Sequence, residues 1–173
     1  AFSTGTRLVA YAGNTVTGFE TKSGDKKWSL TVDDDPNAHL CATPDPDRKV
    51  KTVTIAFRVD ATCDTVLRVR ASDGKVLDKI AVSAAARSVS SIEVYKGVTY
   101  VITSDGVVNR VAGGALAEHA KLAGQPGYMT RTPEDPSLAI STIRAKDGSD
   151  WTITGHRLPS FETVWSTSAS KVF

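Results

Sequence analysis

The sequence lacks the long apolar runs and dense charge that membrane and nucleic-acid-binding proteins require. No apolar run is long enough to span a bilayer, and no signal peptide opens the chain. The net charge of +2 is small for 173 residues and the basic residues are scattered, which argues against a nucleic-acid-binding face. The only Met is Met129, so an initiator Met is absent as well. We expect a processed or excised soluble portion, with membrane attachment only through an anchor outside this chain.

Residues that favour helices are also scarce. Leu, Glu and Gln are sparse, whereas Thr, Val, Ser and Ala are plentiful. Because β-branched side chains fit a pleated surface, this bias favours strands. The hydrophobic content of 40% and the charged content of 23% are ordinary for a globular protein. The length suits a single domain, which we place at residues 1–173.

Only two cysteines are present, Cys41 and Cys63, and neither belongs to a Cys-x-x-Cys pair. We predict that they form a disulfide, which would imply an oxidising, extracytoplasmic compartment. His39 lies two residues before Cys41, so a zinc site is an alternative, although His119 and His156 are remote in sequence. Two buried free thiols in a cytosolic protein are the other alternative.

A repeat organises the chain, and its best copy is the stretch from Leu8 to Trp28, LVAYAGNTVTGFETKSGDKKW. Weaker copies follow, with closing positions at 28, 78, 118 and 165, which are spaced by 50, 40 and 47 residues. A propeller blade of four short strands takes about 40 to 50 residues. We therefore predict an all-β fold of β-propeller blades, each a four-stranded antiparallel sheet, in four units at residues 1–35, 36–85, 86–123 and 124–173.

Each unit begins with a continuous apolar run, as in Val53–Phe57, Thr99–Thr103 and Leu138–Ile143. Such runs are typical of strands that are covered on both faces. Turns rich in Gly and Asp follow, and then a strand that alternates more. The segment Val82–Arg87 has helical composition but is too short to form a helix alone. Ala115–Leu122 is a second helical candidate, which we interpret as the outer strand of the third blade.

The segment Gly18–Trp28 resembles the repeat of pyrroloquinoline-quinone-like (PQQ-like) β-propellers, A-L-D-x-x-T-G-x-x-x-W. Ser23 and Gly24 match its Thr-Gly pair, and Trp28 matches its closing Trp. In the second unit Gly74 holds the glycine position, with Asp78 where the Trp would fall. In the fourth unit Phe161 stands in the place of the glycine and Trp165 closes. The resemblance covers essentially the whole chain, but only the first unit matches well.

The resemblance implies structural roles for Gly24, Trp28, Gly74 and Trp165. The turn glycine would relieve backbone strain, and the Trp would pack between adjacent blades. Propellers of this family usually have seven or eight blades, so four units are about half of one. A closed four-bladed ring, a fragment of a larger propeller and a ring completed by a second chain all remain open. We favour an incomplete propeller whose edges need another chain or segment.

Chemically competent clusters are not recognisable, so we predict no catalytic, cofactor-binding or metal-binding residues. The quinone-dependent enzymes of the resembling family need a cofactor pocket, calcium and a catalytic Asp, none of which the sequence indicates. Asp33–Asp35, Asp45, Asp47 and the segment Lys146–Asp150 are interpreted as turns, with calcium loops as the alternative for the first three. His156 is expected to be partly exposed on its strand. Trp151 and Tyr128 are expected at a blade interface, with an exposed binding surface as the alternative.

Proteins with this repeat include lipoproteins that scaffold outer-membrane barrel assembly and the sensor ectodomains of membrane proteins. The resemblance therefore implies a non-enzymatic, extracytoplasmic module for protein interaction or ligand sensing, secreted or at the cell surface. Its expected partner is another protein chain or propeller segment, including a second copy in a homodimer. The alternatives are part of a quinone-dependent dehydrogenase or other propeller enzyme, and a structural fragment that completes a larger propeller. The composition resembles that of a high-GC bacterium, and we expect an actinobacterial source.

Overall fold

Sixteen strands make up the regular structure of the part of the chain described by a computed structural model. That part comprises residues 2–3, 5–43, 51–58, 62–82, 88–124, 126–132, 134–144 and 150–169. The strands are β1 (Phe2–Ser3), β2 (Arg7–Ala12), β3 (Thr15–Glu20), β4 (Lys26–Thr31), β5 (His39–Ala42), β6 (Thr52–Arg58), β7 (Thr65–Arg70), β8 (Val76–Ala81), β9 (Val89–Tyr95), β10 (Val98–Thr103), β11 (Val107–Ala112), β12 (Ala115–Lys121), β13 (Pro126–Arg131), β14 (Leu138–Arg144), β15 (Trp151–Arg157) and β16 (Glu162–Ala169).

The strands form four sheets, each built from four strands that are consecutive in sequence. Sheet 1 is β1–β4, sheet 2 is β5–β8, sheet 3 is β9–β12 and sheet 4 is β13–β16, with each strand beside the next one along the chain. The pairings are antiparallel. No helix occurs among the described residues, and hence none there could cross a membrane. The predicted all-β fold of four-stranded antiparallel sheets is confirmed.

The two helical candidates have different outcomes. Ala115–Lys121 is the strand β12, which lies at the outer edge of sheet 3 as the interpretation required. All of its positions are exposed or half-buried, as is typical of an edge strand. The other candidate, Val82–Arg87, lies outside the described residues except for Val82.

The apolar runs occupy the second strand of their sheets. In β6, the adjacent residues Ile55 and Ala56 are both fully buried, and in β10 the same holds for Val101 and Ile102. Because neighbouring side chains in a strand point to opposite faces, both faces of these strands are covered. The strand β11 alternates more, as expected for a strand with one wetter face.

The turn before each closing strand has the same hydrogen bonding in sheets 1, 2 and 4. The amide of Gly74 donates to the Arg70 carbonyl at 2.9 Å, and the amide of Gly24 donates to the Glu20 carbonyl at 2.9 Å. Both glycines have φ of +74°. Phe161 holds the same place in sheet 4, and it too adopts a positive φ, 60°. The turn therefore imposes this backbone conformation even where the glycine is lost.

The described chain forms two compact units, each with its own core. One comprises residues 1–88 and 113–115, and the other comprises residues 89–112 and 116–173. The core of the first unit is the buried set Val9, Val16, Trp28, Val32, Ala38, Val53, Ile55, Phe57, Leu67, Val69 and Ala71. The second unit has a core cluster of Tyr100, Ile102, Val108, Leu122, Met129, Ala139, Leu158 and Phe161.

Candidate functional site

A tryptophan joins sheet 1 to sheet 2 within the first unit. The Trp28 ring lies so close over Gly18 that a Cβ there would be 2.2 Å from its Cε2 atom. On the other side, a Cβ at Gly74 would be 2.7 Å from Cδ2 of the same ring. The Nε1 of Trp28 donates to the Ala71 carbonyl at 2.9 Å, and the side chain is 8% exposed. The indole thus fills a slot between Gly18 and Gly74 of adjacent sheets. Any side chain at either glycine position would collide with the ring.

The slot uses the turn glycine of the next sheet and not the turn glycine of its own sheet. Gly24, the turn glycine of the same unit, has open space where its Cβ would be. The turn glycine that contacts Trp28 is Gly74 of the next sheet, and the second contact, Gly18, was not identified from the sequence. A signal for it existed, since Gly18 and Gly155 each lie ten positions before a closing Trp.

Sheets 3 and 4 of the second unit are joined by a histidine. The Nε2 atom of His119, on β12, lies 2.7 Å from the Pro159 carbonyl oxygen in the turn before β16. Since a carbonyl can only accept, His119 donates this bond. Its ring also lies near Tyr100 and Phe161, whose centroids are 5.2 and 6.1 Å away. The repeat spacing predicts the closing position at residue 118. The side chain that links the two sheets is that of the next residue, His119.

Trp165 of sheet 4 packs on a glycine of its own sheet, as Trp28 does, but has no contact of this kind with a second sheet among the described residues. A Cβ at Gly155 would lie 2.4 Å from its Cε2 atom, as Gly18 does for Trp28. Yet Trp165 is 38% exposed, and its Nε1 has no hydrogen-bond partner among the described residues. The side chain therefore covers its own sheet but is not covered in turn.

The whole face of sheet 4 that carries Trp165 is incompletely buried. The register pairs Gly155 with Trp165, Ile153 with Thr167 and, on the other side of β15, Ile140 with Gly155. Cross-strand partners share a face, so these residues line one surface. Ile140 and Ile153 are half-buried, whereas Ala139 and Ser141 on the opposite face are fully buried. Trp151, at the same face, is 39% exposed. We call this surface the open face of sheet 4.

In sheet 2 an ion pair replaces the tryptophan and its glycine. Asp78 and Arg68 are cross-strand partners in the register that Trp28 and Gly18 have in sheet 1. The Arg68 Nη1 and Asp78 Oδ2 atoms are 2.7 Å apart, and both side chains are about four-fifths buried, with relative exposures of 24% and 19%. Sheet 2 thus satisfies the position by charge instead of aromatic packing.

The structure contains the expected disulfide. Cys41 on β5 and Cys63 before β7 are bonded, with Cα atoms 6.0 Å apart, and no cysteine is free. The zinc-site and free-thiol alternatives are therefore wrong. The bond ties the edge strand of sheet 2 to the loop that enters β7, whose Cys63 amide also donates to Ser88 Oγ at 3.1 Å.

The aspartate-rich segment after β4 is hydrogen-bonded as a turn. Asp33 Oδ1 accepts the Asp35 amide at 3.1 Å, and Asp35 Oδ1 accepts the Asn37 amide at 2.8 Å. The Asp35 amide and Lys79, whose Nζ lies 3.0 Å away, lower the pKa of Asp33. Among the described residues no group of three or more His, Cys, Asp or Glu side chains is arranged to hold a metal ion. Asp45, Asp47 and most of the Lys146–Asp150 turn lie outside the described residues.

His156 is buried, contrary to the expectation that it would be partly exposed. It is 1% exposed and its Nε2 lies 2.8 Å from Ser141 Oγ, which is also fully buried. Burial lowers the pKa of His156 and favours the neutral ring. The prediction was wrong because the face of β15 that carries His156 is packed inside the fold. The Ser–His pair is thus buried away from solvent.

A cleft of about 370 Å³ lies between sheets 1 and 2. Its cationic residues are largely neutralised, because Arg7 pairs with Glu20 at 2.7 Å and Arg70 pairs with Asp73 at 2.9 Å. The cleft is lined by Thr6, Arg7, Lys51, Thr52, Arg70, Ala71, Ser72 and Leu77. No nucleophile–base pair occurs among these lining residues.

Consecutive four-stranded sheets joined by closing-strand side chains define a β-propeller type of fold. Among solved structures, the chain is similar to Kuenenia stuttgartiensis hydrazine synthase, with a TM-score of 0.71 and 14% identity over 98% of this chain. It is also similar to BamB from Moraxella catarrhalis, with a TM-score of 0.64 and 14% identity over 95% of this chain. The chain spans about half of each, 48% and 47% respectively.

These solved structures are β-propellers, and at such low identity the likeness concerns the fold alone. No protein-family model matches the sequence. No curated protein matches it either.

Proposed function

We propose that the chain is a non-enzymatic protein-interaction module of the β-propeller type that works outside the cytoplasm. The observation that carries this proposal is the open face of sheet 4. There, Trp165 and Trp151 are 38% and 39% exposed, whereas on the corresponding face of sheet 1 Trp28 is only 8% exposed. Large aromatic side chains on an incompletely covered surface are the residues that contribute most to protein interfaces.

The disulfide supports the extracytoplasmic part of the proposal. Bonded pairs persist in oxidising compartments and are rare in the cytosol. Cys63 is 5% exposed, so a reductant would reach the bond mainly from the Cys41 side. The secreted or cell-surface location and the actinobacterial source stay predictions, as does the ligand-sensing role.

The non-enzymatic part rests on the chemistry of the described side chains. Among the described residues, the buried nucleophile–base contact between Ser141 and His156 is shielded from solvent, with exposures of 0% and 1%. The cleft between sheets 1 and 2 contains paired charges and hydroxyl groups but no base beside a nucleophile. A quinone-dependent or other propeller enzyme is the competing proposal. Metal content and a quinone absorbance band in protein purified from its own cells would favour that competitor.

Site-specific photo-crosslinking tests the interaction proposal. A benzophenone amino acid replaces Thr167, an exposed residue of the open face, in the cells that produce the protein. A crosslink to a protein is expected from this position, because the face has apolar area left to bury. The matched control carries the same probe at Val76, which is 40% exposed on the outer strand of sheet 2.

The comparison between the two positions decides the result. A crosslinked species at position 167 that is absent at position 76 supports an interaction surface on sheet 4. Equal crosslinking at both positions, or none at either, contradicts the proposal, because the open face would then behave like ordinary solvated surface. Mass spectrometry of the crosslinked species identifies the partner, including a further propeller segment.

A further inference from the structure

The joint between sheets 1 and 2 shows what completes a tryptophan of this type. Trp28 rests on Gly18 of its own sheet and is capped by the turn at Ala71–Gly74 of the following sheet. That turn supplies a glycine without a Cβ, against which the ring packs, and a carbonyl oxygen for the indole N–H. Ala71 is accordingly 4% exposed.

Trp165 is placed on its own sheet as Trp28 is, but no turn of a following sheet covers its ring among the described residues. Its ring lies on Gly155 in the same register, ten residues apart, as Trp28 lies on Gly18. Its exposure is 38% against 8% for Trp28, and no described residue accepts from its Nε1. A turn with a positive-φ glycine and an available carbonyl is the element that would complete it.

Within the described part of the chain, sheet 1 carries such a turn whose glycine contacts no other side chain. In sheet 1, the Thr21–Gly24 turn has the hydrogen bonds of the Ala71–Gly74 turn, with Glu20 amide to Asp25 carbonyl at 2.8 Å and Gly24 amide to Glu20 carbonyl at 2.9 Å. The φ of Gly24 and of Gly74 is +74° in both cases. However, no atom lies within 4 Å of the Cβ position of Gly24, and Thr21 is exposed where Ala71 is buried.

The sheet faces behind these two half-joints are also complementary. In sheet 1, Val9 shares the face of Trp28 and is fully buried, whereas Leu8 on the opposite face is 40% exposed. In sheet 4 it is the face of Trp165 that is uncovered. Where sheet 1 meets sheet 2, the tryptophan face of one sheet packs against the non-tryptophan face of the next. The open face of sheet 4 is a tryptophan face, and the face of sheet 1 that carries Leu8 is a non-tryptophan face.

We propose that two copies of this chain associate head to tail. The open face of sheet 4 in one copy packs against the exposed face of sheet 1 in the other copy. Trp165 of one copy packs against Gly24 of the other and donates its indole N–H to the Thr21 carbonyl, in the manner of Trp28, Gly74 and Ala71. Each such joint covers the open face of sheet 4 in one copy and the exposed face of sheet 1 in the other. This inference rests on the proposed function, since it names the partner of the same surface.

The test is the solution mass and self-association of three single variants and the unaltered chain by analytical ultracentrifugation. The unaltered chain is expected to sediment at twice its 18.4 kDa mass. Trp165→Ala removes the ring and should weaken self-association by about tenfold or more. Gly24→Asn places a side chain where the ring would dock, with a similar loss, while Asn tolerates the positive φ of this turn.

Gly13→Asn is the matched control. Gly13 is also a turn glycine of sheet 1, with φ of +55° and no atom within 4 Å of its Cβ position. It is not part of the half-joint, so the variant should dimerise as the unaltered chain does. In addition, a mixture of the Trp165→Ala and Gly24→Asn proteins retains one intact joint, between the Trp165 of one and the Gly24 of the other. Mixing should therefore restore part of the association.

Each outcome is decisive. A monomeric unaltered chain at every concentration, or equal effects of Gly24→Asn and Gly13→Asn, overturns the inference. If the chain is monomeric but Thr167 still crosslinks to a different protein, the proposed function stands and only the second copy as occupant is wrong. If the chain dimerises and neither Trp165→Ala nor Gly24→Asn weakens it, the dimer uses another surface and the inference is wrong.

Discussion

The Trp28 joint gives a prediction whose size follows from its geometry. A Trp side chain buries about 200 Å² of surface, and at about 25 cal/mol per Å² the removal of Trp28 forfeits about 5 kcal/mol. The substitution Trp28→Ala also leaves the buried Ala71 carbonyl without its donor, at a further cost of about 1 to 2 kcal/mol. Domains of this size are stable by about 5–15 kcal/mol, so the first unit should be close to unfolding.

Trp165 is the internal comparison for this prediction. It has the same contact with a glycine of its own sheet, but it is 38% exposed instead of 8% and has no acceptor among the described residues. Trp165→Ala, measured on dilute monomeric protein, should therefore cost about 2 to 3 kcal/mol less than Trp28→Ala. Urea unfolding followed by circular dichroism gives both values.

Hydrogen exchange locates the damage. In the Trp28→Ala variant, amides of sheets 1 and 2 should lose protection while those of sheets 3 and 4 keep it, because the two pairs belong to separate compact units. A double-mutant cycle with Gly18→Ala adds a check. The added methyl collides with the indole in the presence of Trp28 and should be tolerated in the Trp28→Ala background. Equal costs for the two tryptophans, or additive effects in the cycle, would refute the slot as the source of the stability.

Three further predictions concern other parts of the chain. Replacing Cys41 and Cys63 by Ser should lower the free energy of unfolding by about 3 kcal/mol, because the bond closes a loop across 22 positions; denaturation with and without reductant measures this. Burial lowers the pKa of His156, so the unfolded chain binds the proton more tightly than the folded chain. The free energy of unfolding should therefore fall as the pH drops below about 6.5 toward the folded pKa. Urea midpoints measured across that range test this. Phe161→Gly relieves a positive φ, worth about 1 kcal/mol, but forfeits a buried ring packed 5.1 Å from that of Tyr100, worth about 3 kcal/mol or more, so thermal unfolding should show net destabilisation.

Each of these has its own control. Reductant should leave the Cys41/Cys63 double Ser variant unchanged, and an unaltered midpoint in that variant would mean that the bond does not stabilise the fold. A His156→Gln variant should lose the pH dependence below about 6.5, and a retained slope would assign it to another group. A Phe161→Gly protein that is more stable than the parent would show that backbone strain outweighs the aromatic packing of this turn.

The pattern of apolar and polar residues was sufficient to predict the strands of each sheet, because strand formation depends on neighbours along the chain. The apolar runs Val53–Phe57 and Thr99–Thr103 identified strands covered on both faces, and Ala115–Lys121 was correctly interpreted as a strand despite its helical composition. The spacing of cysteines allowed a disulfide, a zinc site or free thiols, and only the fold brought the Cys41 and Cys63 Cα atoms to 6.0 Å. His156 was misjudged because exposure depends on what packs against a strand face, which alternation along one strand does not report.

The sequence by itself determined the repeat and the four-stranded antiparallel sheets, since these follow from side-chain periodicity and from residues a few positions apart. Only the tertiary structure decided what each closing side chain meets. It placed Trp28 against Gly74, 46 positions away, gave the joint of sheet 3 to His119 and left Trp165 uncovered. The physical reason is that a slot between two sheets is built by residues distant in sequence, so a pattern within one repeat does not report what lies on its other side.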